Sequence, residues 1–332
     1  MAVTGNTTQG PDEVHQEIPD AATAWWSVAP GRGEFRGEPV PDVSDGEAAV
    51  RTLYTGVSRG TESLVARGEV PTSERERMRA PFQAGDFPFP VKYGYLNVGT
   101  VERGPAALLG RTVFSLFPHQ SRFVVPADAL HPVPESVPAR RAVLAGAVET
   151  AVNVLWDAAP LVGDRVVVVG AGMVGCAIAR LARSIPGSDV TLVDVDPARA
   201  ATAEALGVGF ALASEEIPQA DVVIEASGAP GQLDAAIALA RPGGTVLQVG
   251  IPAAPQEIDV HSLVMREIGI RTTLAHVCGE DLAPALDLLA GTSLAAELLD
   301  GVHPLGAVAE QLDRLSSGRL DGKVLIDPSL EG

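Results

Sequence analysis

The sequence predicts an α/β protein in which a doubly wound parallel sheet is joined to a strand-rich domain. Residues from about Pro138 to Thr273 alternate β-type apolar runs with helical stretches, which is typical of successive βαβ units. From about Ala24 to Val137, short β-type runs are separated by Pro and Gly, which indicates an irregular, strand-rich domain. The tail, from about Gly279, returns to two helices and a last strand, Lys323–Ile326.

The individual elements follow from apolar period and turn residues. Strands are predicted in the first part over Ala49–Tyr54, Val98–Glu102, Thr112–Leu116 and Phe123–Val125. In the middle part, helices are predicted over Ala139–Ala158, after Gly170, over Ala198–Leu206 and over Gly231–Ala240. The strands between them are Arg165–Val169, Val190–Val193, Asp221–Glu225, Gly244–Gly250 and Ile268–Thr272.

This pattern predicts a discontinuous first domain. We expect a disordered leader over residues 1–20, a strand-rich domain formed by 21–137 together with 279–332, and the doubly wound domain over 138–278. The leader is polar and acidic and lacks the basic and apolar regions of a secretory signal, so we expect a cytoplasmic protein.

Composition excludes several classes of protein. The chain has 332 residues, 46% of them hydrophobic, and contains no uninterrupted apolar run long enough to cross a membrane. Its two cysteines, Cys176 and Cys278, are too few for a disulfide framework or a Cys-rich zinc site, and we interpret both as core thiols.

The net charge of −18 argues against nucleic acid and anionic membranes as partners. The densest basic run, Arg75 to Arg79, is interleaved with Glu74 and Glu76, and we interpret it as a solvated helix face. A small molecule is therefore the expected partner.

The strongest local motif is Gly-x-Gly-x-x-Gly, formed by Gly170-Ala171-Gly172-Met173-Val174-Gly175 directly after four valines. The first glycine permits a tight strand-to-helix turn, and the second lets a pyrophosphate approach the backbone. The third lets the helix pack closely on the strand, with the phosphates at the helix N-terminus. A strand before the motif and a helix after it predict a dinucleotide site, with Met173 and Val174 contributing backbone.

Asp194 ends the next apolar run, nineteen residues after Gly175. A carboxylate there accepts hydrogen bonds from both ribose hydroxyls and repels the additional phosphate of NADP, so NAD is the expected cofactor. Arg199 and Arg180 weaken that preference if one of them pairs with a 2′-phosphate. The alternative is that Asp194 caps the helix beginning near Pro197, a role that Asp196 fills equally well.

Six segments in chain order resemble the medium-chain dehydrogenase/reductases, the superfamily of zinc alcohol dehydrogenases and quinone reductases. They are the glycine motif and residues 54–62 (YTGVSRGTE), 94–101 (GYLNVGTV), 225–228 (EASG), 242–250 (PGGTVLQVG) and 322–326 (GKVLI). The resemblance implies an NAD(P)-dependent oxidoreductase with a Rossmann domain and a discontinuous GroES-like catalytic domain. It also implies that Arg59, Ser227 and Gly250 contact the cofactor and that Thr61 relays a proton. Ser-Arg-Gly-Thr-Glu and Phe-Pro-His-Gln (117–120) are similar to the branch that contains bacteriochlorophyllide hydroxyethyl dehydrogenase.

The sequence departs from this family at its zinc ligands. Ser58 or Arg59 replaces a cysteine, Tyr95 replaces a histidine, and Glu149 alone is a plausible ligand. A catalytic zinc takes three Cys, His or carboxylate ligands, and the cysteines of the family's structural zinc lobe are also missing. We therefore expect a metal-free enzyme.

Without a metal, hydride transfer at a carbinol carbon needs another group for the hydroxyl proton. The candidates are Tyr95, with Lys92 as a neighbour that lowers its pKa, and His119 and Glu149. The alternatives are a lining aromatic ring for Tyr95, a structural histidine for His119, and a carboxylate at a helix N-terminus for Glu149.

Three functions remain open. The preferred one is a zinc-independent dehydrogenase that acts with NAD on a secondary alcohol or ketone of a natural-product-like small molecule. The others are an NAD(P)H-dependent enoyl or quinone reductase and a cofactor-binding protein without turnover. We also expect a homodimer, because Ile268–Thr273 looks like an unprotected edge strand that pairs with its twin in relatives.

Overall fold

The computed structural model describes residues 21–252, 255–273, 282–291, 299–316 and 323–330. Within these ranges the chain forms three β-sheets with helices packed against them. None of the helices in the described ranges is both long and apolar enough to cross a membrane.

The first part of the chain is rich in strands, as predicted. Its strands are β1 (Ala21–Ala29), β2 (Arg32–Pro39), β3 (Glu47–Gly56), β4 (Ala84–Gly85), β5 (Val91–Lys92), β6 (Asn97–Arg103), β7 (Thr112–Ser115), β8 (Arg122–Pro126) and β9 (His131–Pro132). One helix, α1 (Thr61–Arg67), follows β3. The basic run at Arg75 was wrongly interpreted as a helix face, because the chain there forms a short 3-10 turn over Thr72–Glu74 followed by further turns.

The middle part forms the parallel sheet. Its elements are α2 (Ala139–Ala142), α3 (Ala145–Ala158), β10 (Arg165–Val169), α4 (Met173–Ala182), β11 (Asp189–Asp194), α5 (Arg199–Leu206), β12 (Gly209–Leu212), β13 (Ala220–Glu225), α6 (Gln232–Leu239), β14 (Ala240–Gln248), α7 (Val260–Arg266) and β15 (Gly269–Thr272). The strand order is β12-β11-β10-β13-β14-β15, and every neighbouring pair is parallel. This order reverses direction at β10, as in doubly wound nucleotide-binding sheets, and confirms the predicted fold class.

Apolar residues cover both faces of this sheet. Val166 and Val168 of β10 belong to the core shared with α3 and α4, whereas Val167 and Val169 belong to a second core with α6. Alternate side chains of a strand point to opposite faces, so an unbroken valine run fits a strand that is buried on both sides.

The predicted helix over Ala139–Ala158 is interrupted between α2 and α3. Leu144 donates its N–H to Arg141 and Ala147 donates to Leu144, which are i→i+3 bonds that tighten the turn. Leu144 is fully buried in the core at this point.

The tail returns to the first part of the chain. It contains α8 (Leu282–Gly291), β16 (Leu299–Pro304), α9 (Val308–Ser316) and β17 (Lys323–Asp327). Strand β17 pairs with β16 and antiparallel with β3, within the sheet β16-β17-β3-β6-β7-β9, to which β8 is added by pairing with β3. The last strand of the chain therefore completes a sheet begun by the first part, while the predicted boundary at 278–279 lies outside the described residues.

Candidate active site

The glycine loop between β10 and α4 has the shape that the motif predicts. Gly170 has a φ of +102°, which an L side chain rarely adopts, and a Cβ there would lie 2.9 Å from the N–H nitrogen of Ser227. A Cβ at Gly175 would lie 1.9 Å from the carbonyl oxygen of Gly170. Helix α4 can therefore pack on the loop only because residue 175 has no side chain. Gly172 is the N-cap residue of α4 and has open space around its Cα.

Asp194 holds this loop to the end of β11. Its Oδ2 accepts the N–H of Ala171 at 2.7 Å, and its Oδ1 accepts the N–H of Asp196 at 3.0 Å. The alternative role as a helix cap is not seen, because α5 begins at Arg199 and the N–H of Ala198 is bound instead by Asp196 at 2.9 Å.

Arg199 lies close to these acids. Its guanidinium is buried, and its Nε is 3.7 Å from Asp196 Oδ2. Cys176, on the adjacent helix, is also buried, and burial raises the pKa of its thiol to about 12. This agrees with its interpretation as a core thiol, and Cys278 lies outside the described residues.

A buried glutamate organises the carboxyl edge of β13. Glu225 Oε1 accepts the N–H of Ser227 at 2.8 Å as well as the Ser227 hydroxyl, and Oε2 accepts Gln248 Nε2 at 2.5 Å. Gly250 lies against this turn, since a Cβ there would be 2.1 Å from the nitrogen of Gly228. Ser227 and Gly250 thus lie at the same sheet edge as the glycine loop, and Glu225 is a positioning group that the sequence argument did not single out.

Tyr95 lies partly buried between β5 and β6, packed edge-on against Tyr93 with 6.0 Å between ring centroids. Burial, and secondarily the negative charge of Glu62, raise the pKa of Tyr95 to about 12, while interactions with the Ser58 and Thr61 hydroxyls act in the opposite direction. The phenol therefore stays protonated at neutral pH and can donate a hydrogen bond.

Lys92 does not act on Tyr95, so that expectation is wrong. Its ammonium group is buried and donates to Glu38 Oε2 at 2.5 Å and to Gln120 Oε1 at 2.6 Å. It also lies over the rings of Trp26 and Phe117 at 5.9 and 5.8 Å from their centroids. A buried ammonium needs such partners, and here they join the β1–β2 hairpin to the loop after β7.

His119 is enclosed by protein, which agrees with the alternative of a structural histidine and not with a group that handles the substrate proton. Its side chain is 2% exposed. Nδ1 lies 2.7 Å from Thr55 Oγ1 and Nε2 lies 2.8 Å from Glu62 Oε2. With both ring nitrogens engaged, the imidazole offers none to a substrate.

The remaining predicted residues lie on α3, on α1 and in the turn before α1. Glu149 is buried on α3, Thr61 begins α1, and Arg59 is exposed in the turn before it. Sequence reasoning missed Glu62 and Lys323, although both stand in quoted motifs. Lys323 is buried and donates to the Val57 carbonyl at 3.2 Å. Burial lowers its pKa to about 8, partly offset by Glu62.

The residues at the expected zinc positions do not fit zinc. A phenol whose pKa is raised, a serine or an exposed arginine, and one carboxylate do not supply three Cys, His or carboxylate ligands. Over the ranges that the structure describes, no group of three or more His, Cys, Asp or Glu side chains is arranged to hold a metal ion.

Known proteins resemble this chain in sequence and in fold. The model of the zinc-binding dehydrogenase family matches residues 173–291. The D-xylulose reductase A of Aspergillus oryzae is 28% identical over 214 residues, which are 59% of this chain and 60% of that protein. This chain therefore aligns with less than two thirds of that relative.

Two solved structures share the fold. An alcohol dehydrogenase of Escherichia coli CFT073 in complex with NADH has a TM-score of 0.80 at 19% identity, covering 93% of this chain and 99% of that one. A protein of Sinorhizobium meliloti 1021 bound to NADP has a TM-score of 0.78 at 18% identity, covering 93% and 99%. Together with the sequence matches, these likenesses support the medium-chain dehydrogenase/reductase superfamily.

Proposed function

We propose that the chain is a zinc-independent oxidoreductase that transfers a hydride between NAD(H) and a secondary alcohol or ketone of a natural-product-like small molecule. The observation that carries this proposal is the meeting of the glycine loop, Asp194 and the Ser227 turn at one edge of the parallel sheet. Ligands of such sheets bind outside the carboxyl ends of the strands, where the strand order reverses.

The nicotinamide cofactor is supported by the two solved structures, which hold NADH and NADP. Our preference for NAD rests on Asp194. Its carboxylate is fixed by the N–H groups of Ala171 and Asp196 at the end of β11. We infer that it faces the ribose as a negative charge that an additional phosphate has to approach. Buried Arg199, 3.7 Å from Asp196, is the group that weakens this preference if it turns toward the phosphate.

Tyr95 is the proposed hydrogen-bond donor to the reacting oxygen. A bound nicotinamide supplies the hydride, and negative charge then develops on the substrate oxygen. A protonated phenol at that oxygen stabilises the charge, and the Ser58 and Thr61 hydroxyls, which lower the pKa of the phenol, are the groups we propose to pass a proton onward. Donors of this kind contribute about 10²–10⁴-fold to a rate. Glu149 remains the alternative base.

A second candidate is an enoyl or quinone reductase. The enclosure of His119 favours it, because no imidazole nitrogen is left for the substrate and Tyr95 is a weak acid. Reduction of an activated C=C bond requires no strong proton donor beside the carbon that accepts the hydride.

One screen separates the two. NAD reduction is followed with a panel of secondary alcohols, beside NADH and NADPH oxidation with ketones, enones and quinones. Turnover of alcohols or ketones supports the first proposal. Turnover restricted to enones or quinones replaces it with the second, and binding of NADH without turnover of any class overturns both.

We also propose a homodimer joined through β15. This strand ends the parallel sheet, carries a single charge at Arg271, and follows a helix with exposed Val260, Val264 and Met265. An open edge beside apolar side chains is a surface that a second copy can cover.

A further inference from the structure

Glu62 is a carboxylate inside the protein, on the first turn of α1, with only 3% of its surface exposed. Its two carboxylate oxygens have different hydrogen-bond partners. Oε1 accepts the N–H of Ser58 at 2.9 Å, and Oε2 lies 2.8 Å from His119 Nε2. A buried carboxylate is costly unless such bonds compensate it, so this group is fixed in place.

Both contacts lead toward Tyr95. The first holds the turn of Ser58, the residue whose hydroxyl lowers the pKa of the phenol. The second holds the His119 ring, which Thr55 binds from the other side at 2.7 Å. Gly94, the residue before Tyr95, lies on that ring, since a Cβ there would be 3.1 Å from His119 Cδ2.

The hydrogen bonds have a defined direction when the imidazole is neutral. A carboxylate only accepts hydrogen bonds. His119 Nε2 therefore carries the hydrogen and donates a hydrogen bond to Glu62, and the Thr55 hydroxyl donates a hydrogen bond to Nδ1. A glutamine at position 62 can keep both contacts if the ring changes tautomer. An aspartate keeps the charge but is one methylene too short to span both.

We propose that Glu62 is a positioning residue that holds Tyr95 at the reacting oxygen through the Ser58 turn and the His119 ring. This inference rests on the proposed function, in which Tyr95 is the donor. In this proposal the enclosed His119 supports the position of Tyr95 and does not exchange a proton with the substrate. The proposal also gives the buried charge of Glu62 a function.

Glu62 also sets the electrostatic surroundings of the phenol. The other ionisable groups that face this pair within the described chain are Tyr93 on the same loop, His119 after β7 and Lys323 on β17. The Glu62 charge raises the pKa of Tyr95 because it disfavours a second negative charge nearby. The same negative charge attracts the Lys323 ammonium group and so favours the charged form of that lysine.

Two variants separate position from charge. Glu62→Asp shortens the side chain and keeps the charge, whereas Glu62→Gln keeps the length and removes the charge. Glu102→Gln is the matched control, since Glu102 lies in the same domain and is paired with Arg51 at 2.9 Å and Arg122 at 3.2 Å. We would measure kcat, NADH affinity and, as a test of folding, circular dichroism. The three tyrosines are labelled as 3-fluorotyrosine and titrated by fluorine NMR, and the signal that is lost in Tyr95→Phe is assigned to Tyr95.

For Glu62→Asp we expect kcat to fall about a hundredfold, the effect of a misplacement near 1 Å, with NADH affinity and the Tyr95 titration unchanged. For Glu62→Gln we expect the Tyr95 titration to move to lower pH, with a smaller loss of kcat than in Glu62→Asp. The control changes neither quantity.

Wild-type kcat in a folded Glu62→Asp protein, or an unmoved Tyr95 titration in Glu62→Gln, overturns the inference. If one variant does not fold, the other still gives a result: Glu62→Asp tests the effect of position, and Glu62→Gln tests the effect of charge. If the wild type turns over no substrate, the proposed function fails, but the fluorine titration still tests whether Glu62 acts on Tyr95.

Discussion

Replacing Asp194 with alanine should weaken both the glycine loop and the preference for NADH. The carboxylate accepts the N–H of Ala171 at 2.7 Å and that of Asp196 at 3.0 Å. A hydrogen bond to a charged group contributes about 1.5–3 kcal/mol, and an N–H left unpaired in the interior adds about 1–3 kcal/mol. Ala171 is 2% exposed, so water replaces the lost acceptor poorly.

We therefore expect Asp194→Ala to lower the free energy of unfolding of the cofactor-free protein by about 2–4 kcal/mol, which thermal or urea unfolding measures. By calorimetry the native protein should bind NADH more tightly than NADPH by a few kcal/mol. The variant should bind NADH about ten- to a hundredfold more weakly, because the ribose loses its acceptor, and NADPH with little change.

Asp196→Ala is the matched control. That acid is two residues away, accepts the N–H of Ala198 at 2.9 Å and lies 3.7 Å from Arg199 Nε. We expect it to cost about 1 kcal/mol of stability, as the loss of one hydrogen bond does, and to leave NADH affinity unchanged, while NADPH affinity should rise because Arg199 loses its pairing with this acid. Equal affinities for NADH and NADPH in the native protein, or an unchanged ratio in Asp194→Ala, would refute the reasoning.

Four further outcomes are expected. Elemental analysis of the purified protein should find no stoichiometric zinc, and activity should survive dialysis against a chelator, whereas one tightly held zinc per chain contradicts the assignment. Light scattering should give a dimer of the 34.3 kDa chain, and a monomer alone rejects the β15 interface. Tyr95→Phe should lower turnover by about two to four powers of ten with NADH affinity retained, while a larger loss in Glu149→Gln transfers the role to that carboxylate. Lys323 has a pKa of about 8 against 10.5 for the ordinary side chain, so the unfolded chain binds the additional proton between these values and stability should rise with pH there. Lys323→Met should abolish about 2 kcal/mol of that rise, as judged by the difference in unfolding free energy from wild type between pH 8 and 10, and parallel curves disprove the burial of the charge.

The parallel sheet was predictable because its signals are local. Four valines before a glycine motif define β10 and the start of α4 without knowledge of any other segment. Strand β12 was not predicted, since its four residues, Gly209–Leu212, are a strand only through pairing with β11. Strand β16 was missed for a similar reason, because it is a strand through its pairing with β17, which follows only after helix α9.

The site was only partly predictable. The residues of the glycine loop and Asp194 follow one another along the chain at fixed spacing, and the structure brings them together. Glu62, His119 and Lys323 come from three separate segments, and no periodicity in the sequence reports that these polar side chains share an interior. Lys92 was misplaced for the same reason, because its partner Glu38 lies 54 residues away.

The return of β17 to the first sheet has a consequence for the order of folding. Lys323 bonds to Val57 across 266 residues, whereas each neighbouring pair of the parallel sheet is closed by a far shorter connection. Closing a long loop costs more chain entropy than closing a short one, and a growing chain acquires its last segments last. The parallel sheet should therefore form during synthesis, and the surroundings of Glu62 should be completed only when residues 323–327 arrive. Removing that strand should leave the parallel sheet folded while the first sheet lacks the neighbour of β3 and the Lys323–Val57 bond.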